Sequence, residues 1–250
     1  MADPVAVEDR DGVRWVVLDR PERRNAIDLE LQTALGDALV AAATDEAVDA
    51  IVVAGRGPAF SAGGDLSRFA DADPRSFRGS SHDLTATIGL VERIEKPVVA
   101  AIGGVATGAG LQLALACDLR IASTDARFMW REGHLGLLPA HGGIARLVAM
   151  VGLGPARDLV LGGGDVDAAR AHQLGLVTAV VDPAELESAV TEAVERILRR
   201  GAQAYAAAKR VLGIVVADVH RGQLAETLGQ SLLVTTEEHR DRLDAARRRR

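Results

Sequence analysis

The stretch GVATGAGLQLALACDL, residues 104–119, constrains this chain more than any other. It follows the β-branched run PVVAAIGG, opens as a glycine loop and passes into an almost wholly apolar segment carrying one uncharged polar side chain, Gln112. Glycine at this spacing lets a backbone approach another backbone or a ligand closely. A strand that turns through glycine into a helix also aims free N–H groups at the loop, with the helix dipole behind them. GRGPAFSAGGD (55–65) repeats the pattern after the buried run VDAIVVAG, and GHLGLLPAHGG (133–143) is a third glycine-containing loop.

None of the three is a nucleotide loop. A phosphate loop needs Lys-Ser or Lys-Thr after its last glycine, and the dinucleotide spacing fails because Gly108 and Gly110 are followed by Leu111 and Gln112 with no third glycine in place. Ser61 is not on a nucleophile elbow, since the residue two before it is Ala59. What the first two loops offer is backbone N–H. Facing one another they would hold an oxyanion without any side chain; the alternative is two tight turns in which glycine serves local geometry alone.

The surrounding chain reads as an α/β core followed by a helical region. VRWVVLDRP (13–21) is a strand, and Asp28 caps a helix over LELQTALGDALVAAAT. PAFSAGGDLSRFADADPRSFRGSS (58–81) reads as a loop, DLTATIGLVERIEK (83–96) as a helix ended by Pro97, and DLRIAS and ARFMW as short strands. From Gly142 onward the chain reads as mainly helical, with a last long helical region from about Ala202 to the end. At 250 residues, 48% of them hydrophobic and 26% charged, the chain fits one core with a tail.

The net charge of −6 gives no reason to expect nucleic acid as a partner. Arg247, Arg248, Arg249 and Arg250 are offset by Glu237, Glu238, Asp241 and Asp244 and read as a solvated tail. Cys117 is the only cysteine and sits in an apolar run, so it reads as a buried, inert thiol in a reducing interior. With no signal-like N-terminus and no apolar run of about 18 residues, the expectation is a cytoplasmic protein without membrane contact.

AFSAGGDL, KPVVAAIGGVATGAGLQLALACDLRIA, ARFMWREGHLGLLPAHGG and ARDLVLGGGDVDAARAHQLGLVTAVV resemble, in that order, segments of the enoyl-CoA hydratase/isomerase (crotonase) superfamily. The resemblance runs from RPERRNAID to about Val181. It implies a ββα spiral core over residues 1–190 and a helical C-terminal trimerisation region over 191–250, assembled as a homotrimer or a dimer of trimers. It implies an acyl-CoA thioester substrate whose carbonyl oxygen lies between the amides of Gly64 and Ala109, with CoA as part of the substrate and no separate cofactor; no metal is expected, because His134 and His141 have no third ligand at helpful spacing. Arg24, Ala26, Ala62, Asp65 and Leu66 would line the CoA path together with Asn25, and Arg24 and Arg68 are the candidate phosphate partners.

Hydratases of the superfamily place one carboxylate at the Gln112 position and a second on the loop after the ARF strand, here Glu132. An amide can orient a water but cannot accept a proton as a general base. The resemblance with one carboxylate missing therefore implies single-base chemistry at Glu132, as in enoyl-CoA double-bond isomerisation. The alternatives are 2-enoyl-CoA hydration, decarboxylation, thioester hydrolysis, C–C cleavage, or acyl-CoA binding without turnover. Many relatives have proline before the second glutamate where this chain has Arg131, and a guanidinium facing Glu132 would lower its pKa. His134 and His141 lie nearby as auxiliary acid/base candidates, while Phe128 and Trp130 read as packing residues. Residues 67–81 stand where relatives shape the acyl pocket, and an aromatic content of 3% points to aliphatic acyl groups.

Overall fold

The computed structural model describes residues 3–66, 74–215, 223, 231 and 233–248. The chain opens with strand β1 (Val5–Arg10) and strand β2 (Val13–Leu18), paired antiparallel. Asp11 and Gly12 join them with φ of 48° and 77°, the two left-handed positions of a tight hairpin turn whose twist suits the strands. Helix α1 (Leu29–Thr44) follows, its first turn capped by the Asp28 carboxylate, which accepts from Leu31 N–H at 2.9 Å. Leu31, Leu35, Leu39 and Ala42 form its buried stripe.

Strands β3 (Ala50–Gly55) and β4 (Ala59–Ser61) lead to helix α2 (Pro74–Arg93); β5 (Val98–Ile102) and β6 (Val105–Thr107) to α3 (Gly108–Ala116). Then β7 (Leu119–Ser123) and β8 (Arg127–Met129) lead to α4 (Gly143–Val151) and α5 (Leu153–Gly162). Each repeat adds a strand to both of two sheets. Among the described residues one sheet has the order β1-β2-β3-β5-β7 and is parallel from β2 onward; the other begins β4-β6-β8, also parallel. This is a ββα spiral, with α2 and α3 packed against one another.

Two strands lie within the part of the chain expected to be mainly helical. β9 (Asp165–Asp167) pairs antiparallel with β8, and β10 (Ala179–Val181), reached through α6 (Ala168–Gln173), closes the six-stranded sheet beside β7. Three residues are too few for a period-2 pattern to show in sequence. The expectation of a loop up to Ser81 is also corrected, since α2 begins at Pro74. Proline suits a first helical turn. The small polar residues after it, which favour turns by propensity, are overridden by the helix's packing.

Helix α7 (Leu186–Leu198) covers the outer face of the large sheet through Val190, Ala193 and Val194. The boundary expected after residue 190 falls inside this helix. α8 (Ala202–Val215) is tied to the core by Lys209, which donates to Asp118 Oδ2 at 2.8 Å and Val91 O at 2.9 Å. Helix α9 (Glu237–Arg248) is a separate helix rather than a continuation, because the chain turns at Val234–Thr236 and the Thr236 hydroxyl accepts from His239 N–H at 3.1 Å. Cys117 is buried as expected, and burial pushes its thiol up to about 12. Among the described residues no helix is long and apolar enough to cross a membrane.

Candidate active site

The chain before α1 runs beside the first glycine loop. Ala62 N–H donates to Arg24 O at 2.8 Å, Ile27 N–H to Gly63 O at 2.7 Å and Asp65 N–H to Ile27 O at 3.0 Å. Gly64 lies between the bonded Gly63 and Asp65, in an isolated parallel bridge to Ile27, and the loop runs on past a second element. That element is the start of α3, whose first N–H groups, that of Ala109 among them, have no acceptor within the helix.

The two loops touch through backbone. Gly63 has φ of +86°, and a Cβ on it would stand 2.8 Å from Thr107 O and 3.4 Å from Ala109 N. Only glycine allows this approach. Ser61 and Asn25, both buried, brace it from behind. The Ser61 hydroxyl donates to Asn25 O at 2.7 Å and accepts from Gly63 N–H at 3.2 Å. Asn25 Nδ2 donates to Ala59 O at 2.8 Å and its Oδ1 accepts from Arg20 N–H at 2.9 Å. Ser61 is thus occupied structurally, and Asn25 supports the loop rather than lining a ligand path.

Gly64 and Ala109 line a cavity of about 370 Å³, together with Gln112, Glu132, Arg24, Ala62 and Leu66. Ala26, which is buried, and Asp65 are not in its wall. Arg68 lies outside the described residues. Leu84, Met129, Leu135 and Leu137 make much of the remaining wall apolar, as a pocket for a hydrocarbon chain requires.

Glu132 opens a short 3-10 turn, Glu132–Leu135, after β8. Its Oε1 accepts from Gln112 Nε2 at 2.8 Å, so the two positions singled out in sequence are in direct contact. Gln112 is 3% exposed and sits under α4, where a Cβ on Gly143 would fall 2.8 Å from Gln112 Cγ. Among the described residues lining the cavity, Glu132 supplies the only carboxylate. The guanidinium of Arg131 is directed to Asp165 on β9, forming an ion pair there. Helix α9 backs the Glu132 turn: His239 is buried, its Nδ1 bonds Leu135 O at 2.6 Å, and Val234 packs on Leu137.

His141 also lines the cavity, at φ of +57° and 8% exposure. Its Nδ1 is 2.8 Å from Thr85 Oγ1, and that hydroxyl donates its single proton to Ser81 O at 2.7 Å. The Thr85 oxygen must then accept from Nδ1–H, which makes Nε2 the basic atom of the neutral ring. His134 is exposed at the rim beside Gly163. Among the described residues no three His, Cys, Asp or Glu side chains group as a metal site. Sequence reasoning passed over Ser81 and Thr85. Among the described residues of α2, Ser81 extends the buried stripe of Leu84, Ile88 and Val91, a position that shows only once the helix is known.

Comparison with known proteins shows the family and the fold. The family model described as enoyl-CoA hydratase/isomerase matches residues 8–244. A probable enoyl-CoA hydratase of Rhizobium meliloti (strain 1021) is 37% identical over 240 residues, 94% of this chain and 92% of that protein. A crotonyl-CoA hydratase of Syntrophomonas wolfei is 31% identical over 243 residues, 96% of this chain and 94% of that protein. The crystal structure of an enoyl-CoA hydratase/isomerase from Xanthobacter autotrophicus Py2 superposes with a TM-score of 0.91 at 28% identity, covering 98% of this chain and 93% of that one.

Proposed function

The chain belongs to the enoyl-CoA hydratase/isomerase family, and from that premise we propose that it shifts the double bond of an enoyl-CoA with Glu132 as the single acid/base. The observation that carries the reading is the Gln112–Glu132 hydrogen bond: an amide stands against the one carboxylate among the described residues of the cavity wall. The amide N–H fixes the position of the carboxylate through Oε1, while an amide cannot itself accept a proton as a base.

In this reading the thioester oxygen of a 3-enoyl-CoA lies between the N–H groups of Gly64 and Ala109. Glu132 takes a proton from C2, and the electron pair moves into the thioester, leaving a dienolate whose oxygen the two amides stabilise. One preorganised amide of this kind contributes about 3 kcal/mol. Glu132, now protonated, returns the proton at C4, and the product is the 2-enoyl-CoA with no atom gained or lost. Arg24, exposed at the mouth, is a phosphate contact in this scheme. CoA enters and leaves as part of the substrate, without a separate cofactor. A cytoplasmic homotrimer or dimer of trimers is part of the same proposal; exposed apolar side chains such as Leu161, Val211 and Leu212 support assembly.

Hydration of a 2-enoyl-CoA is the second reading, and the names of the relatives favour it. There Gln112 would orient the water and Glu132 alone would handle its proton. Parallel assays on the purified protein separate the two. Isomerisation of 3-enoyl-CoA with hydration at least about 100-fold slower supports the first; hydration equal to or faster than isomerisation overturns it.

A further inference from the structure

The wall of the cavity is not uniformly suited to a hydrocarbon. Ser81 and Gln112 are 4% and 3% exposed, and among the described residues neither Ser81 Oγ nor Gln112 Oε1 has a hydrogen-bond partner. Both residues line the cavity that holds Gly64, Ala109 and Glu132. Among the described residues, four other helical hydroxyls are satisfied on a carbonyl one turn back: Thr33 on Leu29, Thr44 on Val40, Thr87 on Asp83 and Thr191 on Glu187. Thr85 does the same on Ser81 O, yet the Ser81 hydroxyl makes no such bond.

We infer that the acyl chain bound here carries a hydroxyl group beyond its β-carbon, an inference that rests on the acyl-CoA reading of the cavity. An unbranched hydrocarbon would cover Ser81 Oγ and Gln112 Oε1 and leave both without partners, which a site tolerates poorly. Gln112 Oε1 can only accept, because the amide nitrogen beside it is the donor to Glu132. A ligand serving such a wall has to donate, which a ketone, ether or carboxylate oxygen does not. A hydroxyl both donates to an acceptor and receives from Ser81 Oγ–H. The apolar remainder of the wall, Leu84, Met129, Leu135 and Leu137, accommodates the methylenes around it.

The test is a binding measurement with saturated thioesters, which cannot turn over and so do not depend on Glu132 chemistry. Kd is measured by titration calorimetry for hexanoyl-CoA, its 4-, 5- and 6-hydroxy derivatives and the corresponding oxo derivatives. The 3-hydroxy compound is left out because it is the product of hydration. At least one hydroxy ligand is expected to bind about tenfold or more tightly than hexanoyl-CoA, with the advantage lost in Ser81→Ala. Equal binding of all hydroxy ligands and hexanoyl-CoA overturns the inference but leaves the acyl-CoA reading standing, as does an advantage confined to the oxo ligands. Binding of no thioester overturns both.

Discussion

Replacing Gln112 by glutamate tests the contact on which the proton chemistry depends. Gln112 Nε2 lies 2.8 Å from Glu132 Oε1 in a buried setting. A carboxylate there has no proton to donate, so the two side chains must share one or repel. Two unit charges about 4 Å apart at an effective dielectric of about 20 repel by about 4 kcal/mol, which is about 3 pH units. The pair therefore keeps one proton up to about pH 7, starting from the usual glutamate value of about 4.3. The unfolded chain has released that proton above about pH 4.3, so here the folded state binds more protons. Stability relative to the parent then falls by about 1.4 kcal/mol per pH unit from about pH 4.3, levelling near pH 7 at a loss of about 4 kcal/mol. For a chain of this length that is roughly 8–16 °C in Tm. Thermal denaturation of the parent, Gln112→Glu and Gln112→Met from pH 4 to 8 reads the effect. The Met variant loses the hydrogen bond without adding charge, so its deficit is expected to be confined to the loss of one hydrogen bond, about 1–3 kcal/mol, and to stop growing once Glu132 is ionised. A Gln112→Glu deficit that does not exceed that of Gln112→Met toward pH 8 would refute the reasoning.

Gly63→Ala is expected to lower kcat about 10²- to 10³-fold, because φ of +86° and a Cβ 2.8 Å from Thr107 O force the two amide-bearing loops apart; steady-state kinetics checks it. Arg131→Ala is expected to change stability by under about 1 kcal/mol and activity by a few-fold at most, since Arg131 pairs with Asp165 at the surface; denaturant titration and the same kinetics measure both. Cys117, with its thiol pushed up to about 12 by burial, is expected to resist alkylation at pH 8 in the folded protein and to react fully in denaturant, as read by mass spectrometry.

Much of this site was legible because its signals are local. The glycines of AFSAGGD and TGAGL act through backbone conformation within a few residues, whereas Glu132 was singled out only through the family resemblance; the structure brings all three to one cavity. The first hairpin was not read: the mixed polarity of AVEDR concealed its first strand, and with it the turn at Asp11 and Gly12. What could not be read is long-range. Asn25 earns its burial by bonding carbonyls up to 35 residues away, and Arg131 finds its partner 34 residues on. Both look like surface residues in the chain. The docking of α9 on the Glu132 turn depends on His239 meeting Leu135 O, a contact across 104 residues. Ser81 was hidden for a different reason. Its helix begins at Pro74 among residues of low helix propensity, so the stripe it extends becomes visible only once the helix is known.

The most direct test of the account is the turnover of 3-enoyl-CoA by Glu132→Gln. This substitution keeps the shape of the side chain and removes the only carboxylate in the described wall of the cavity. Isomerisation is predicted to fall by at least about 10³-fold while the Kd for a saturated acyl-CoA stays within a few-fold of the parent. Retention of more than a tenth of the parent rate would mean that another group moves the proton, and the single-carboxylate mechanism would be wrong.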